Sequence, residues 1–434
     1  MSRRSFSTDV ALLTSVRFAA IPAAFLTNVL AARLLGAGGL GAAAVAITVA
    51  TLCSLIANAG LGISAVYFLG RRPELRGSIV NNLVALAAVS VSLAFLLMLL
   101  SVPLALALVL PGHSPDVLIA AAALAPAMVA FDVGSAVLLG LHARGRYMLV
   151  EVIRTLATLG ATAAVLLIGV RTEQAYVLAT AAASATAALV AWLGVARIVG
   201  PLQLRVDRLF VRDAVSMGTR GQVGNLLQFV NLRLDLLLVS AFLRVEAVGV
   251  YLVAVRVAEV VVQVANAVAA LTFPRVAAQA DLADTASTER ATRVTLAIVA
   301  ISAGLLALVA EPVLVVTFGE GFRSGTVALR LTLLAMVPLA LARILTGDLK
   351  GRGRADLVSI ANVVGVVLTA GLGLSLIPAL GIEGAALASL GAYSGLTLAL
   401  MLAYRYVTRA ELRRLVPRPA DARLLWDIGR RTLR

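Results

Sequence analysis

Long apolar stretches separated by short polar segments follow one another along almost the whole chain. Each stretch has about 20 residues or more, enough for a helix to cross about 30 Å of hydrocarbon. We number them as predicted spans 1 to 12, at residues 10–31, 40–66, 80–109, 117–140, 148–170, 174–199, 215–242, 247–272, 292–317, 326–347, 356–379 and 383–406. The pattern predicts an all-α polytopic membrane protein with about twelve transmembrane helices.

The two halves of this pattern repeat each other at a shift of 208 residues. Leu40-Gly41 coincides with Val248-Gly249, and Arg144-Gly145-Arg146 coincides with Arg352-Gly353-Arg354 at that shift. Because each half holds six spans, an even number, both halves enter the membrane from the same side. We therefore predict two six-helix lobes related by a pseudo-twofold axis along the membrane normal, an arrangement found in many transporters.

The repeat and a polar segment between the halves predict how the chain is divided. Residues 1–200 form the N-terminal lobe, 201–213 a cytoplasmic linker, and 214–408 the C-terminal lobe. Residues 409–434 form a basic cytoplasmic tail.

The composition is that of a membrane protein, and the placement of charge predicts its orientation. The chain is 61% hydrophobic and 14% charged, with a net charge of +15, whereas ordinary soluble domains are about 25% charged. Most basic residues lie in the N-terminus, the even-numbered loops and the tail; the odd-numbered loops hold Arg33, Arg171, Arg244 and Arg323. This bias predicts a cell-membrane protein with both termini in the cytoplasm. It also favours contact with anionic lipids and gives no reason to expect nucleic acid as a partner.

Polar side chains inside the spans indicate candidate sites, because a charged group at the bilayer centre costs about 2.5–3.5 kcal/mol on insertion scales. In span 8, Arg256, Glu259, Gln263 and Asn266 follow spacings of 3, 4 and 3 residues. Residues at these spacings share one face of a helix. Span 8 is therefore predicted to carry a polar stripe.

Span 7 carries a second polar face. Arg220, Gln228, Asn231 and Asp235 lie at helical spacings along it. Arg233 lies about 200° around the helix from that face and is expected to point toward a different neighbour.

Three further spans carry isolated charges. Arg17 shares a face of span 1 with Asn28, and Asp132 lies inside span 4. Arg154 and Arg343 lie nearer to the predicted helix ends, where we expect their long side chains to reach the membrane surface.

These residues predict a hydrated cavity with a net positive charge. Arginine suits a phosphate group because its planar fork offers paired donors and keeps its charge when it is removed from water. We predict that Arg17, Arg233 and Arg256 bind an anionic head group. The predicted polar lining of the cavity is Asn28, Gln228, Asn231, Gln263 and Asn266. The alternative is structural: Arg256 with Glu259, and Arg233 with Asp235, form ion pairs that hold the bundle together.

Acidic side chains in such a cavity could also carry a coupling ion, H⁺ or Na⁺. The candidates are Asp132, Asp235 and Glu259. Structural pairing is the alternative role for each of them.

No motif of an enzyme is recognised in the sequence. Residues 36–41 match G-x-G-x-x-G, but they lie between two spans and follow no strand, so they predict an external turn rather than a dinucleotide site. A Walker motif, a nucleophile elbow and a zinc ligand set are absent from the sequence. We expect no catalytic residues, no metal site and no cofactor other than the coupling ion.

Three groups of short motifs, in order along the chain, point to a known family. The first is the helix-turn from Asn28 to Thr48, NVLAARLLGAGGLGAAAVAIT. The second comprises Arg233-Leu234-Asp235, Gly249-Val250-Tyr251, Glu259 and Phe273-Pro274, and the third comprises Gly351-Arg352-Gly353-Arg354, Ile377-Pro378 and Gly384-Ala385-Ala386-Leu387-Ala388. Together they resemble the polysaccharide and lipid-linked oligosaccharide flippases of the multidrug/oligosaccharidyl-lipid/polysaccharide exporter superfamily.

The resemblance implies two six-helix lobes in a V and alternating access driven by membrane potential or an ion gradient. It also implies that cationic residues hold the diphosphate of a polyprenyl-linked glycan. Lipid II flippases of this superfamily usually have fourteen helices, so twelve spans favour the O-antigen or capsule type.

The resulting hypothesis is a flippase that moves an undecaprenyl-diphosphate-linked oligosaccharide from the inner to the outer leaflet of the cytoplasmic membrane for polysaccharide export. A polysaccharide polymerase and glycosyltransferases are the expected protein partners. The main alternative is a cation-coupled exporter of drugs or other small molecules. A membrane-embedded glycan polymerase or ligase is less favoured, because such an enzyme would be expected to have a large external loop.

Overall fold

The computed structural model describes residues 3–277 and 285–416, and within them the side chains from residue 22 onward except Leu166 and Pro274. The described residues form helices joined by short turns. The helices are α1 (Arg3–Asn58), α2 (Leu61–Arg71), α3 (Arg76–Leu108), α4 (Asp116–Gly140), α5 (Arg144–Leu167), α6 (Glu173–Val199), α7 (Arg208–Phe242), α8 (Val245–Ala277), α9 (Ala286–Leu308), α10 (Ala310–Phe318), α11 (Thr326–Gly351) and α12 (Ala355–Thr408). The all-α prediction is confirmed.

The two longest helices are each bent at a glycine. In α1 the bend lies at Gly36, with φ 65° and ψ −175°, and in α12 it lies at Gly381, with φ 64° and ψ −138°. Residues with a side chain rarely adopt such backbone angles, whereas glycine does so readily. The predicted turn over residues 36–41 is only a bend at Gly36, because residues 37–41 are helical and already belong to the second part of α1.

These bends reconcile the helices with the predicted spans. The two parts of α1 correspond to spans 1 and 2, and the two parts of α12 correspond to spans 11 and 12. Within the described ranges, nine helical segments are long and apolar enough to cross a membrane, and the two bent helices are among them. All twelve predicted spans are mainly helical, although Ala59-Gly60 interrupt span 2 and Val309 interrupts span 9, and the chain is a multi-pass membrane protein.

The described contacts divide the chain into two compact units. The first unit comprises the residues up to Phe229 together with Arg244–Gly249, and the second comprises Val230–Leu243 and the residues from Val250 onward. This division falls inside α7 and near the start of α8. The predicted lobe boundaries at residues 200 and 213 stay a prediction.

Specific hydrogen bonds attach the first part of α7 to the first unit. Ser64 Oγ donates to the carbonyl of Ala214 at 2.6 Å, and Gln222 Nε2 donates to the carbonyl of Leu55 at 2.7 Å. Both hydrogen bonds pair polar groups that are largely shielded from water, where a missing hydrogen bond is costly. They account for the position of residues 208–229 in the first unit.

Each unit contains one helix that packs against several others. In the first unit α4 packs against α1, α2, α3 and α6, and in the second α11 packs against α9 and α12. The buried face of α4 is rich in alanine and glycine. Small residues let transmembrane helices approach closely, since lipid offers no hydrophobic force that drives helices together.

The clearest structural trace of the sequence repeat is a glycine contact inside the first unit. Gly41 lies against the carbonyl of Val245, and Gly249 lies against the carbonyl of Ala37, so closely that an added Cβ would collide with backbone at either position. A shift of 208 residues converts Gly41 to Gly249 and Ala37 to Val245. Exchanging the halves therefore maps this contact onto itself, as a local twofold relation requires.

Candidate functional site

The candidate site is a cavity inside the second unit. It has a volume of about 260 Å³ and lies among α7, α8, α11 and α12, somewhat below the range of about 300–1,000 Å³ that is common for ligand pockets. The charged residues that line it are Arg233, Asp235, Arg256, Glu259 and Arg343. Three positive and two negative side chains give it a net formal charge of +1.

One wall is the polar stripe of α8. Arg256, Glu259, Gln263 and Asn266 all line the cavity, as expected for residues on one helix face. Asn266 Nδ2 donates to Gln263 Oε1 at 3.2 Å. The structure thus brings together the four residues that the sequence placed on this stripe.

Glu259 is held between two guanidinium groups. Its Oε1 lies 3.3 Å from Arg233 Nη1, and its Oε2 lies 3.1 Å from Arg256 Nη1. The expected Arg256–Glu259 pair is therefore present. The alternative pair between Arg233 and Asp235 is wrong, because Arg233 pairs with Glu259 instead.

Asp235 has hydrogen-bond donors of its own. Its carboxylate accepts hydrogen bonds from Tyr251 Oη at 2.7 Å, Ser389 Oγ at 3.2 Å and the backbone N–H of Leu236 at 2.7 Å. This network joins α7, α8 and α12. Arg233 and Asp235 both contact residues of α8, so the expectation that Arg233 points toward a different neighbour is also wrong. The long stem of Arg233 reaches the cavity despite the angular separation.

Arg343 was expected to reach the membrane surface, and this expectation is wrong. The side chain lines the cavity, and its Nε is buried without a hydrogen bond. The helix α11 continues to Gly351, about 12 Å beyond Arg343 at 1.5 Å per residue. The side chain is therefore too far from the helix end to leave the bundle there.

The remaining predicted lining residues lie elsewhere. Asn28 Nδ2 donates to the carbonyl of Ala24 in its own helix at 2.7 Å. Asn231 is buried and contacts Gly365, where an added Cβ would come within 2.7 Å of its Nδ2. Gln228 belongs to the part of α7 in the first unit. The described lining of the second-unit cavity includes none of these three.

Two further predicted site residues, besides Asn28 and Gln228, belong to the first unit. The side chain of Arg17 lies outside the described residues, so its predicted role is untested. Asp132 interacts electrostatically with Arg154 and Glu151. Arg154 also lies over the ring of Phe131, with its Cζ 4.4 Å from the ring centroid. This stacking holds the arginine against α4.

A second buried ionic group lies at the C-terminal end of α11. Arg352 Nε donates to Asp348 Oδ1 at 2.5 Å, and Arg352 Nη2 donates to Oδ2 at 3.1 Å. Thr288 Oγ1 donates to Asp348 Oδ2 at 2.6 Å, and the ring of Tyr404 lies 5.9 Å from the Cζ of Arg352. These contacts join α9, α11 and α12. The sequence showed the Gly351-Arg352-Gly353-Arg354 motif but not this structural role.

Sequence comparison identifies a family. The profile of a family described as "Polysaccharide biosynthesis protein" matches residues 6–279, which is more than half of the chain. A search of curated proteins finds no match.

Comparison with solved structures identifies a shared fold. A lipid II flippase, MurJ, in an inward closed conformation is similar with a TM-score of 0.74 at 14% identity, over 93% of this chain and 89% of that one. An inward-facing multidrug resistance MATE family transporter of the MOP superfamily has a TM-score of 0.69 at 17% identity, over 89% and 95%. An outward-facing transporter of that family has a TM-score of 0.63 at 16% identity, over 92% and 96%.

Proposed function

We propose that this chain is a flippase for a lipid-linked oligosaccharide. The premise is that it belongs to the polysaccharide biosynthesis protein family. Its substrate is an undecaprenyl-diphosphate-linked glycan, which it moves from the inner to the outer leaflet of the cytoplasmic membrane by alternating access. The observation that supports this most is the net-cationic cavity within a multi-pass membrane fold. The similarity in fold to a lipid II flippase agrees with this proposal.

The chemistry of the cavity fits the problem that such a substrate poses. A charged group at the bilayer centre is costly, so a diphosphate needs polar partners throughout its passage. Arginine forks supply charge-assisted hydrogen bonds to phosphoryl oxygens. The apolar tail needs no such partners and stays in the lipid. No covalent bond changes in this process, so we propose a carrier and not an enzyme.

We propose anion contacts for Arg233 and Arg256 in the second unit and for Arg17 in span 1. Gln263 and Asn266 supply neutral polar groups beside Arg256 in the cavity. Coupling to H⁺ or Na⁺ through Asp132, Asp235 or Glu259 stays a prediction. Of these, Glu259 is the least suited to bind a cation, because two guanidinium groups already contact its two oxygens.

Export of drugs or other small molecules is the second candidate, favoured by the similarity in fold to multidrug transporters. A cavity with three arginines and two carboxylates repels a cationic drug and attracts an anion. We therefore prefer the glycan flippase.

Deleting the gene in its native host tests the choice between the two. We expect loss of surface polysaccharide and accumulation of the lipid-linked precursor on the inner leaflet, because its head group no longer crosses. Drug susceptibility should be unchanged. Measurements of surface glycan, of precursor and of inhibitory drug concentrations provide the readouts, with a complemented strain as control. Intact surface glycan together with increased drug susceptibility would instead establish the exporter.

The positive-inside bias leads us to propose that both termini lie in the cytoplasm, where the basic tail contacts anionic lipid and where glycosyltransferases act. A reporter that is active only in the cytoplasm should be active when it is fused to either terminus, and a reporter that is active only outside the cell should be inactive there. A fusion in the odd-numbered loop after Gly169 is the matched control and should give the opposite result. An external C-terminus would mean that the number of crossings is odd.

A further inference from the structure

The charges in the second-unit cavity are unevenly balanced. Both oxygens of Glu259 are engaged, one by Arg233 and the other by Arg256. Asp235 receives its hydrogen bonds from Tyr251 and Ser389. Neither carboxylate makes an ion pair with Arg343 among the described residues, although the charge of Glu259 also acts on it.

Arg343 is the cation of the cavity without a carboxylate partner among the described residues. It makes no ion pair there, and its Nε makes no hydrogen bond. A buried charged group that lacks partners is costly, and proteins retain such groups mainly for function. Arg343 therefore contributes to the positive charge of the cavity without an ion-pair partner of its own among the described residues.

Two neighbouring groups complement Arg343 as anion ligands. Tyr393 of α12 lines the same cavity as Arg343. Lys350 lies seven residues further along α11, two helical turns away on the same face, and its charge also interacts with Arg343. A hydroxyl donor and a second cation thus accompany the guanidinium.

We propose that Arg343 and Tyr393 form a subsite for a phosphoryl oxyanion, and that the α11 face from Lys350 to Arg343 is its electrostatic approach. This inference rests on the proposed function and deepens it, because it adds Arg343 and Tyr393 to the cavity residues proposed to bind the diphosphate. Arg343 can bind the ligand without giving up an ion pair, whereas Arg233 and Arg256 share Glu259. The ligand class is a phosphate or diphosphate, whether free or attached to a lipid.

Equilibrium binding to the purified full-length protein tests the subsite. The probes are inorganic pyrophosphate and farnesyl diphosphate, with farnesol as the uncharged control. We expect Arg343→Ala to weaken binding of both diphosphates roughly tenfold or more, as expected for loss of a charge-assisted contact.

Two further variants separate binding from folding. Tyr393→Phe removes only a hydroxyl and should weaken binding while the thermal unfolding temperature is retained. Arg330→Ala is the matched control, because Arg330 also lies on α11 but is exposed and donates to the carbonyl of Ala307 at 3.1 Å. It should bind as the wild type does. Should Arg343→Ala fail to fold, Tyr393→Phe alone decides.

The outcomes distinguish this inference from the proposed function. Equal binding by wild type, Arg343→Ala and Tyr393→Phe would overturn the subsite, as would a wild-type protein that binds neither diphosphate. Arg343-dependent binding in a chain whose deletion leaves surface glycan intact would keep the subsite and refute the flippase. Binding of farnesyl diphosphate without binding of pyrophosphate would assign the subsite to lipid-attached phosphate.

Discussion

Replacing Asp348 by alanine is expected to lower the free energy of unfolding by about 3–5 kcal/mol, the usual cost of breaking a buried ion pair from one side. Asp348 and Arg352 have side chains that are 0% and 1% exposed. Removing the carboxylate breaks both hydrogen bonds that the buried guanidinium of Arg352 donates to it, and it also removes the acceptor for Thr288. The effect should be large because water cannot reach the site to compensate.

Thermal unfolding of the purified protein measures this effect. A loss of that size corresponds to a fall in unfolding temperature of roughly 10 °C for a unit of about 200 residues. Asp356→Ala is the matched control: its partner Arg354 lies 3.0 Å away, but both side chains are much more exposed. Exposed pairs contribute about 0–1 kcal/mol. Equal unfolding temperatures for the two variants would contradict a structural role for Asp348.

The helices were predictable because the signal lies in the sequence itself. A helix that spans lipid must be apolar over about 20 residues, whatever its neighbours are. The bends at Gly36 and Gly381 lie between predicted spans for the same reason, since each turn needs a residue that tolerates a positive φ. The polar stripe that contains Arg256 and Glu259 was equally predictable from the sequence, because the spacing of residues within one helix determines which of them share a face.

The partners of these residues were not predictable, because partners depend on how helices pack. Spacing places Arg233 and Asp235 on different sides of α7, but it does not show that α8 contacts both of them. Arg343 was assigned to a helix end because the apolar stretch stops at residue 347, whereas the helix continues to Gly351. Hydropathy marks the end of the apolar stretch and not the end of the helix.

The second large effect is expected for Arg256→Ala. Removing one side of a charge-assisted contact costs about 2 kcal/mol or more, which corresponds to a roughly 30-fold loss in rate if that contact forms in the rate-limiting state. The variant should remain folded, because Glu259 keeps its contact with Arg233 at 3.3 Å. Arg330→Ala again serves as the control, since it removes an exposed arginine from outside the cavity lining.

The most direct measurement is translocation of a fluorescent polyprenyl-diphosphate glycan across liposomes that contain only the purified protein. An imposed membrane potential and ion gradients supply the driving force. The cationic-cavity account predicts that the wild type and Arg330→Ala translocate the probe, and that Arg256→Ala does so at least about 30-fold more slowly. Translocation by Arg256→Ala at the wild-type rate, or by the wild type no faster than by empty liposomes, would contradict the account.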